Sequence, residues 1–536
     1  MIRPEVVKQL TCPSFGLATS WIISRQGRPA ESLDEIRRDF RRELWPFAKV
    51  ESRKDNAKAK KLREQANECY RKEPREIEKV LRLYNEAICW AAVGSVEESL
   101  GYGNRSAVYF NQKRYGLCLR NVERAKGSGY PEEKLDKLLE RERKCLKALE
   151  ETVGDENRNE VDLVNELELR ANLELVETAQ CGRSLTSKKE LKVGQIALME
   201  NPFLVVLEPE AVYCRCNHCG RKNELDLIPC RDCVSAMYCS DQCRDEAHDR
   251  YHKFECEIVE DLKSLFRGPK PTRMFQLALR LFWMAMASMI EDREKFLKGY
   301  SVQLKTFRNP LEVVGLKQKL HLHVLANGEP NVSPDHTGKG VTQFLTVLVF
   351  KVAVEENGSV QENFRSENEG LLLEVLYKLV LLAKGVCDQS VDDLTCVYPL
   401  LQMVNHSCAP NAERFVSGTR SMLVVKRPIK EGEQILMCYF PNGSTDYKDK
   451  IKRKTMLLKE FEFDCQCLGC SLDYPLLSAI EENAELRGEL ETLKYKSGDE
   501  RLQLLEDFLQ RNDDKYPQKE IVEAWSLYKQ ERSKRF

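Results

Sequence analysis

An excess of charge of either sign is missing from this chain. Its 84 Lys and Arg against 85 Asp and Glu leave a formal charge of −1 over 536 residues. That balance argues against a protein that works by blanketing nucleic-acid phosphate or an anionic membrane, although a local basic patch stays open. Long apolar runs are also missing. Of the two most apolar stretches, 274–290 is interrupted by Arg280 and 342–354 is too short for a bilayer, so both are read as buried core. No apolar segment follows Met1-Ile-Arg-Pro-Glu, which reads as the absence of a secretory signal and as a soluble intracellular protein. The length suits roughly three or four domains. At 42% hydrophobic and 32% charged residues, packed cores are expected rather than disorder.

Cysteine is plentiful, at 21 residues. In a reducing compartment, clustered thiols serve as metal ligands more often than as disulfides. Four pairs follow one another: Cys216-x2-Cys219, Cys230-x2-Cys233, Cys239-x3-Cys243 and His252-x3-Cys256. Such pairs hold two ligands within reach of one tetrahedral ion, and eight ligands suit two closed sites. So short and apolar-poor a stretch would not fold without them. Structural or reactive thiols are the alternative reading.

Before this stretch, 55–150 is charged with helical periodicity: Val80, Leu83, Tyr84, Ala87 and Ala91 line one face. Ala66 with Tyr70 is echoed by Ser106 with Phe110. Asn104-Arg-Ser-Ala-Val-Tyr-Phe followed by Tyr115-Gly-Leu-Cys-Leu resembles a tetratricopeptide (TPR) unit, with an ordinary helical bundle as the alternative. Gly101-Tyr-Gly-Asn-Arg-Ser lacks the preceding strand and third glycine of a nucleotide loop and is read as a helix-connecting turn. Acidic 155–177 is read as a linker helix. Two short strands are expected in 194–207, helices across most of 257–400, strands again near 422–425 and 433–439, and charged helices from Leu476 onward.

The sharpest motif is Asn405-His406-Ser407-Cys408-Ala409-Pro410-Asn411. Gly432-Glu-Gln-Ile-Leu-Met-Cys-Tyr439 follows, then Cys465-x-Cys467-x2-Cys470. In this order they closely resemble the SET domain of protein-lysine methyltransferases with its post-SET cysteines. The paired cysteines upstream resemble the MYND zinc finger. The chain is thus similar to the SET and MYND domain-containing (SMYD) methyltransferases, in the subtype with an N-terminal TPR-like region.

The resemblance implies an α+β protein, a β-rich SET core split by a MYND finger and a helical insert, behind an α-helical TPR-like domain. The implied layout is an N-terminal extension at 1–54, TPR-like repeats at 55–150 and a linker with the first SET half at 155–213. The MYND finger would occupy 214–256, the helical insert 257–395 and the catalytic SET half 396–450. A post-SET segment at 451–473 and C-terminal helices at 474–536 would complete it.

The MYND ligands interleave, which implies one zinc on Cys216, Cys219, Cys239 and Cys243 and a second on Cys230, Cys233, His252 and Cys256. Cys214, His218 and His248 would be spares. Arg244 and His248 stand where such fingers often carry the glutamine and tryptophan that hold proline-rich peptides, so zinc binding is implied and proline-peptide binding is not. A third zinc would take Cys408, Cys465, Cys467 and Cys470, for about three ions.

By the same resemblance, Asn405 and His406 contact S-adenosylmethionine (AdoMet), with Gly182 and Arg183 there through backbone groups. Tyr439 touches the cofactor and closes the lysine channel as the catalytic residue. The implied activity is AdoMet-dependent N-methylation of a histone or non-histone lysine.

Three positions differ from the family pattern: Ser184 stands for a glycine, Phe461 for a second tyrosine, and no Asn-x-Phe precedes Tyr398. They keep a second reading open, a catalytically weak or inactive adaptor that recruits proteins through its TPR-like and MYND regions. Near-zero charge and the ligand spacing oppose direct nucleic-acid binding. Partners are expected to be proteins, without a membrane, in the cytoplasm and nucleus. His321 and His323 are read as surface residues, Asn357-Gly-Ser and Asn442-Gly-Ser as unused glycosylation matches, and Lys450-x-Lys-Arg-Lys as a solvated helix face.

Overall fold

The computed structural model describes residues 33, 35–37, 54–151, 166–178, 182–265, 269–291, 336–355, 357–363, 369–387, 393–440, 449–461 and 463–535. Most of 1–54, and His321, His323 and Asn442, lie outside them. The architecture is α+β, with helices outweighing several small sheets. Among the described residues no helix is long and apolar enough to cross a membrane. They divide into two compact units, one drawn from Met1–Asn159, Leu204–Thr306 and His321–Val397, the other from Glu160–Phe203, Phe307–Leu320 and Tyr398–Phe536.

The first unit contains five successive helices: α1 (Asn56–Lys72), α2 (Ile77–Trp90), α3 (Val96–Asn111), α4 (Tyr115–Gly127) and α5 (Glu132–Glu151). Asp55 caps α1 by accepting from the N–H groups of Ala57 and Lys58, and Ser95 caps α3 through Glu98 N–H. Val80, Tyr84 and Ile88 of α2 pack with Tyr102, Val108 and Tyr109 of α3, Leu117 and Val122 of α4, and Leu138 and Cys145 of α5.

The Gly101–Ser106 segment is not a connecting turn; it lies inside α3. Glycine normally weakens a helix, but here two glycines are needed for close packing. A Cβ on Gly101 would stand 2.7 Å from Ile88 Cγ1, and one on Gly103 would stand 2.5 Å from the Tyr130 ring.

The cysteine-rich segment packs on these helices through a buried polar network. Arg105 Nε donates to Asn121 at 2.7 Å, and its Nη atoms donate to Leu227 O at 2.8 Å, to Asp226 at 3.1 Å and to Asn85. Arg120, Arg124 and Asn121 also reach the Asp226 carboxylate. Among its other elements, this unit contains a buried strand pair and buried helices. The strands Leu204–Leu207 and Leu394–Val397 pair antiparallel and are buried along their whole length. The helix Pro269–Glu291 buries Phe275, Leu277, Phe282 and Trp283, and Lys351–Glu355 buries Val352, Ala353 and Val354, in line with the apolar stretches read as core.

In the second unit, Ile196–Glu200, Arg420–Val425 and Ala412–Ser417 form a three-stranded antiparallel sheet. Leu173–Thr178, expected as part of a linker helix, is instead a strand paired with Gly182–Ser187. Its order Leu-Glu-Leu-Val-Glu-Thr has no clear two-residue period, and the ladder supplied by the partner strand outweighs local helix preference. Helices Ala484–Lys494, Gly498–Arg511 and Lys519–Ser533 cover the sheet, with Phe508, Trp525 and Tyr528 packed near Phe415 and Met422.

Candidate active site and metal clusters

Within the second unit, the short strand Asn405–His406 pairs in parallel with Leu436–Met437. Asn411 fastens the two stretches together. Its Nδ2 donates to Gln434 O at 2.8 Å, and its Oδ1 accepts from Leu436 N–H at 2.8 Å. The strand Gly182–Ser187 adjoins the same segment, since Ile435 N–H donates to Leu185 O at 2.8 Å and Ser187 N–H to Glu433 O at 3.0 Å. Gly182, Arg183, Asn405, His406 and Tyr439 therefore stand on one connected piece of backbone.

His406 Nδ1 accepts the Tyr439 N–H at 3.0 Å, so a neutral ring carries its proton on Nε2, which lies 3.4 Å from Cys408 Sγ. Burial pushes this imidazole down to about 4. The Tyr439 hydroxyl donates to Val404 O at 2.9 Å, and burial pushes the phenol up to about 12. Both groups are thus neutral near pH 7. Phe461 lies 5.1 Å from Tyr439 between ring centroids, and Phe440 and Phe463 lie 5.8 and 6.0 Å from His406. These rings make an apolar wall that raises the cost of any unpaired charge beside it.

Gly182 has φ +63°, with nothing within 4 Å of the place a Cβ would take, so a ligand has room against the main chain. Ser184 lies in the extended strand opposite Val176 and donates its hydroxyl to Val176 O at 3.2 Å. No left-handed backbone is required there, so serine in place of glycine carries no backbone strain. The Asn405 carboxamide is half-buried and lies 3.5 Å from Gln434 Oε1.

Three groups of four side chains bring their donor atoms within 4.8 Å of one another: Cys216, Cys219, Cys239 and Cys243; Cys230, Cys233, His252 and Cys256; and Cys408, Cys465, Cys467 and Cys470. Representative S···S separations are 3.7 Å for Cys219–Cys239, 3.7 Å for Cys230–Cys256 and 3.6 Å for Cys408–Cys470. Thiolates on a tetrahedral zinc at about 2.3 Å stand about 3.8 Å apart, whereas a disulfide needs about 2.05 Å. The donor sets and spacing fit zinc.

Cys214, His218 and His248 lie outside the three groups. His218 stacks on Tyr251 and pairs with Glu246, and His248 is exposed. Arg244 pairs with Asp241 and Asp245.

Two positioning groups carry little or no sequence signal of their own. The Val404 carbonyl is one. Glu200 is another: it is buried and accepts the N–H groups of Leu400 and Leu401 just before the Asn-His strand. Its one hint is a carboxylate closing an otherwise apolar strand.

Residues 182–440 match the family model of the SET domain. The chain is 22% identical over 491 residues to protein-lysine N-methyltransferase SMYD4 of Danio rerio, covering 73% of this chain and 62% of that protein. It is 23% identical over 539 residues to SMYD4 of Homo sapiens, covering 74% and 65%. Residues 182–440 thus carry a SET domain, and over about three quarters of its length the chain is similar to SMYD-named protein-lysine methyltransferases. Human histone-lysine N-methyltransferase SMYD3 is 22% identical over 294 residues, 55% of this chain and 60% of that protein. The chain thus spans a little under two thirds of the length of the Danio rerio and human SMYD4 proteins it matches. The matched SET range runs from Gly182 to Phe440, so it ends one residue past Tyr439 and before the cysteines at 465–470.

Proposed function

We propose that this SET-domain protein is an AdoMet-dependent protein-lysine N-methyltransferase acting on a histone or non-histone lysine. The observation that carries the reading is the double attachment of Tyr439 to the Asn-His strand, by its N–H to His406 and by its hydroxyl to Val404. When bound, AdoMet supplies a methyl group already activated on a sulfonium, so the chain has to align the reactants and exclude water. Gly182 and Arg183, through their backbone, together with Asn405, His406 and Tyr439 would hold it. The wall of Phe440, Phe461 and Phe463 would strip water from the incoming lysine and favour its uncharged amine. Tyr439, fixed as a donor to Val404, keeps oxygen lone pairs with which to orient that amine.

On the same reading the three clusters hold about three zinc ions. The 214–256 segment acts as a MYND finger and 55–150 as a TPR-like protein-binding region. Cys465, Cys467 and Cys470 form, with Cys408, a post-SET zinc that pins 451–473 beside the active site. The working location is cytoplasm and nucleus.

A second reading, an adaptor with a weak or silent SET site, is favoured by Phe461, which lines Tyr439 without a second hydroxyl. Titration calorimetry with AdoMet on zinc-replete protein decides between them. Saturable binding that His406→Ala loses supports the enzyme, and no binding by a cooperatively melting wild type supports the adaptor.

A further inference from the structure

Arg280 is the single charged residue in the apolar stretch 274–290, and it is fully buried. Such a charge persists only when its donors are matched. Its Nε and Nη2 donate to the two oxygens of Glu255 at 2.9 and 3.0 Å. Nη2 also donates to Asn217 Oδ1 at 3.0 Å, and Nη1 donates to Asn217 O at 3.2 Å and to Val205 O. Its plane lies over Tyr251, 4.7 Å from the ring centroid. Glu255 is equally buried. It takes a hydrogen bond from Gln276 Nε2 at 3.1 Å, and its Oε2 lies 3.2 Å from His252 Nδ1.

The other nitrogen of His252, Nε2, stands 3.3 Å from Cys230 Sγ and 3.5 Å from Cys233 Sγ. A carboxylate at Nδ1 keeps the proton there and leaves the Nε2 lone pair aimed at the thiols. Arg280 in turn holds both oxygens of that carboxylate. Its remaining contacts tie the same group to Asn217, between Cys216 and Cys219, and to the strand Leu204–Leu207.

We propose that Glu255 and Arg280 are positioning residues for the Cys230–Cys233–His252–Cys256 metal site, and that through Arg280 this site braces the helix Pro269–Glu291 against the strand Leu204–Leu207. The inference rests on reading the cluster as a zinc site. On it, the cysteine-rich segment is a built-in brace of its unit rather than a detachable recruiting finger.

The test is zinc release from the full-length protein to a chromogenic chelator. Cobalt substitution identifies the three-thiolate, one-imidazole site by its absorption, against the two four-thiolate sites. Glu255→Gln is expected to speed release from that site tenfold or more and to shift its cobalt bands, while the other two sites keep their rates. Gln276→Ala removes one donor and keeps the ion pair, so it is expected to act at the same site by a smaller factor; it serves as the readout should Glu255→Gln not fold.

Wild-type release and unshifted cobalt bands in the folded variants would overturn the inference, as would equal acceleration at all three sites. A wild-type protein holding no metal in this cluster would overturn the zinc reading itself, and with it the inference.

Discussion

Tyr439 is held by the Asn-His strand at two points: its N–H donates to His406 Nδ1 at 3.0 Å, and its hydroxyl donates to Val404 O at 2.9 Å. The first bond is backbone to ring and survives loss of the hydroxyl. Tyr439→Phe is therefore expected to abolish methyl transfer while costing about 1 kcal/mol of stability and leaving zinc content unchanged. Transfer of labelled methyl, thermal melting and metal analysis on one preparation check this. Parallel loss of fold would contradict it.

Cys408 joins the third cluster two residues after His406, and its N–H also donates to Cys467 Sγ at 3.2 Å. Cys408→Ser is expected to lower bound zinc by one equivalent and to weaken AdoMet binding at least severalfold, because the Asn-His strand loses its anchor. Metal quantification with calorimetry tests both parts. Unaltered AdoMet affinity at two zincs would uncouple them.

Gly101 and Gly116 both sit in helices, and helix preference alone gives each alanine substitution a gain of about 1 kcal/mol. At Gly116 nothing lies within 4 Å of the new methyl, so that gain is expected as a higher melting temperature. At Gly101 the methyl would press on buried Ile88, and overpacking at about 1–3 kcal/mol outweighs the gain. Opposite shifts in the two melting temperatures are the expected result.

Asp226→Asn removes the carboxylate facing fully buried Arg105, at an expected cost of about 3–5 kcal/mol in denaturant unfolding. Burial pushes the Asp226 carboxyl up, but Arg105, Arg124 and Asn121 outweigh it and hold it below the ordinary aspartate range. A depressed folded-state pKa means stability that is present above the unfolded value of about 3.9 and is lost as pH falls through the folded one. The gap between wild type and variant should be constant from pH 7 to 5 and begin to close only below about 4. A gap that shrinks between pH 7 and 5 would remove Asp226 as its source.

What can be read without coordinates follows the range of each interaction. Pairs such as Cys230–Cys233 announce themselves because both ligands sit on one turn. The short apolar runs within 194–207 and the longer ones at 274–290 and 342–354 carry their burial in their own pattern. Leu173–Thr178 reads wrongly as helix because its acidic composition suits one, and its sheet partner Gly182–Ser187 is a separate segment. The Gly101–Gly103 pair reads wrongly as a turn for a similar reason: the side chains requiring it, Ile88 and Tyr130, lie on neighbouring elements. Asp226 and Arg105 are 121 residues apart, with no local pattern at either end. The AdoMet assignment, the division of the paired ligands between two zincs and the third zinc site come from family resemblance. The bonds that hold the site together, those of Asn411 to Gln434 and Leu436 and of Tyr439 to Val404, need the folded chain.

The strand Ile196–Glu200 finds its partner Arg420–Val425 only far downstream; Asn201 and Arg420, joined by a hydrogen bond, are 219 residues apart. During synthesis at roughly 5–20 residues per second, the earlier strand waits about 10–40 s for its mate to leave the ribosome. Its apolar face, Ala197 and Met199 included, is then a liability, because an unpaired strand edge is a template for wrong pairing. Output of active protein should accordingly depend on chaperone supply and translation speed across this interval, more than on the stability of the finished molecule.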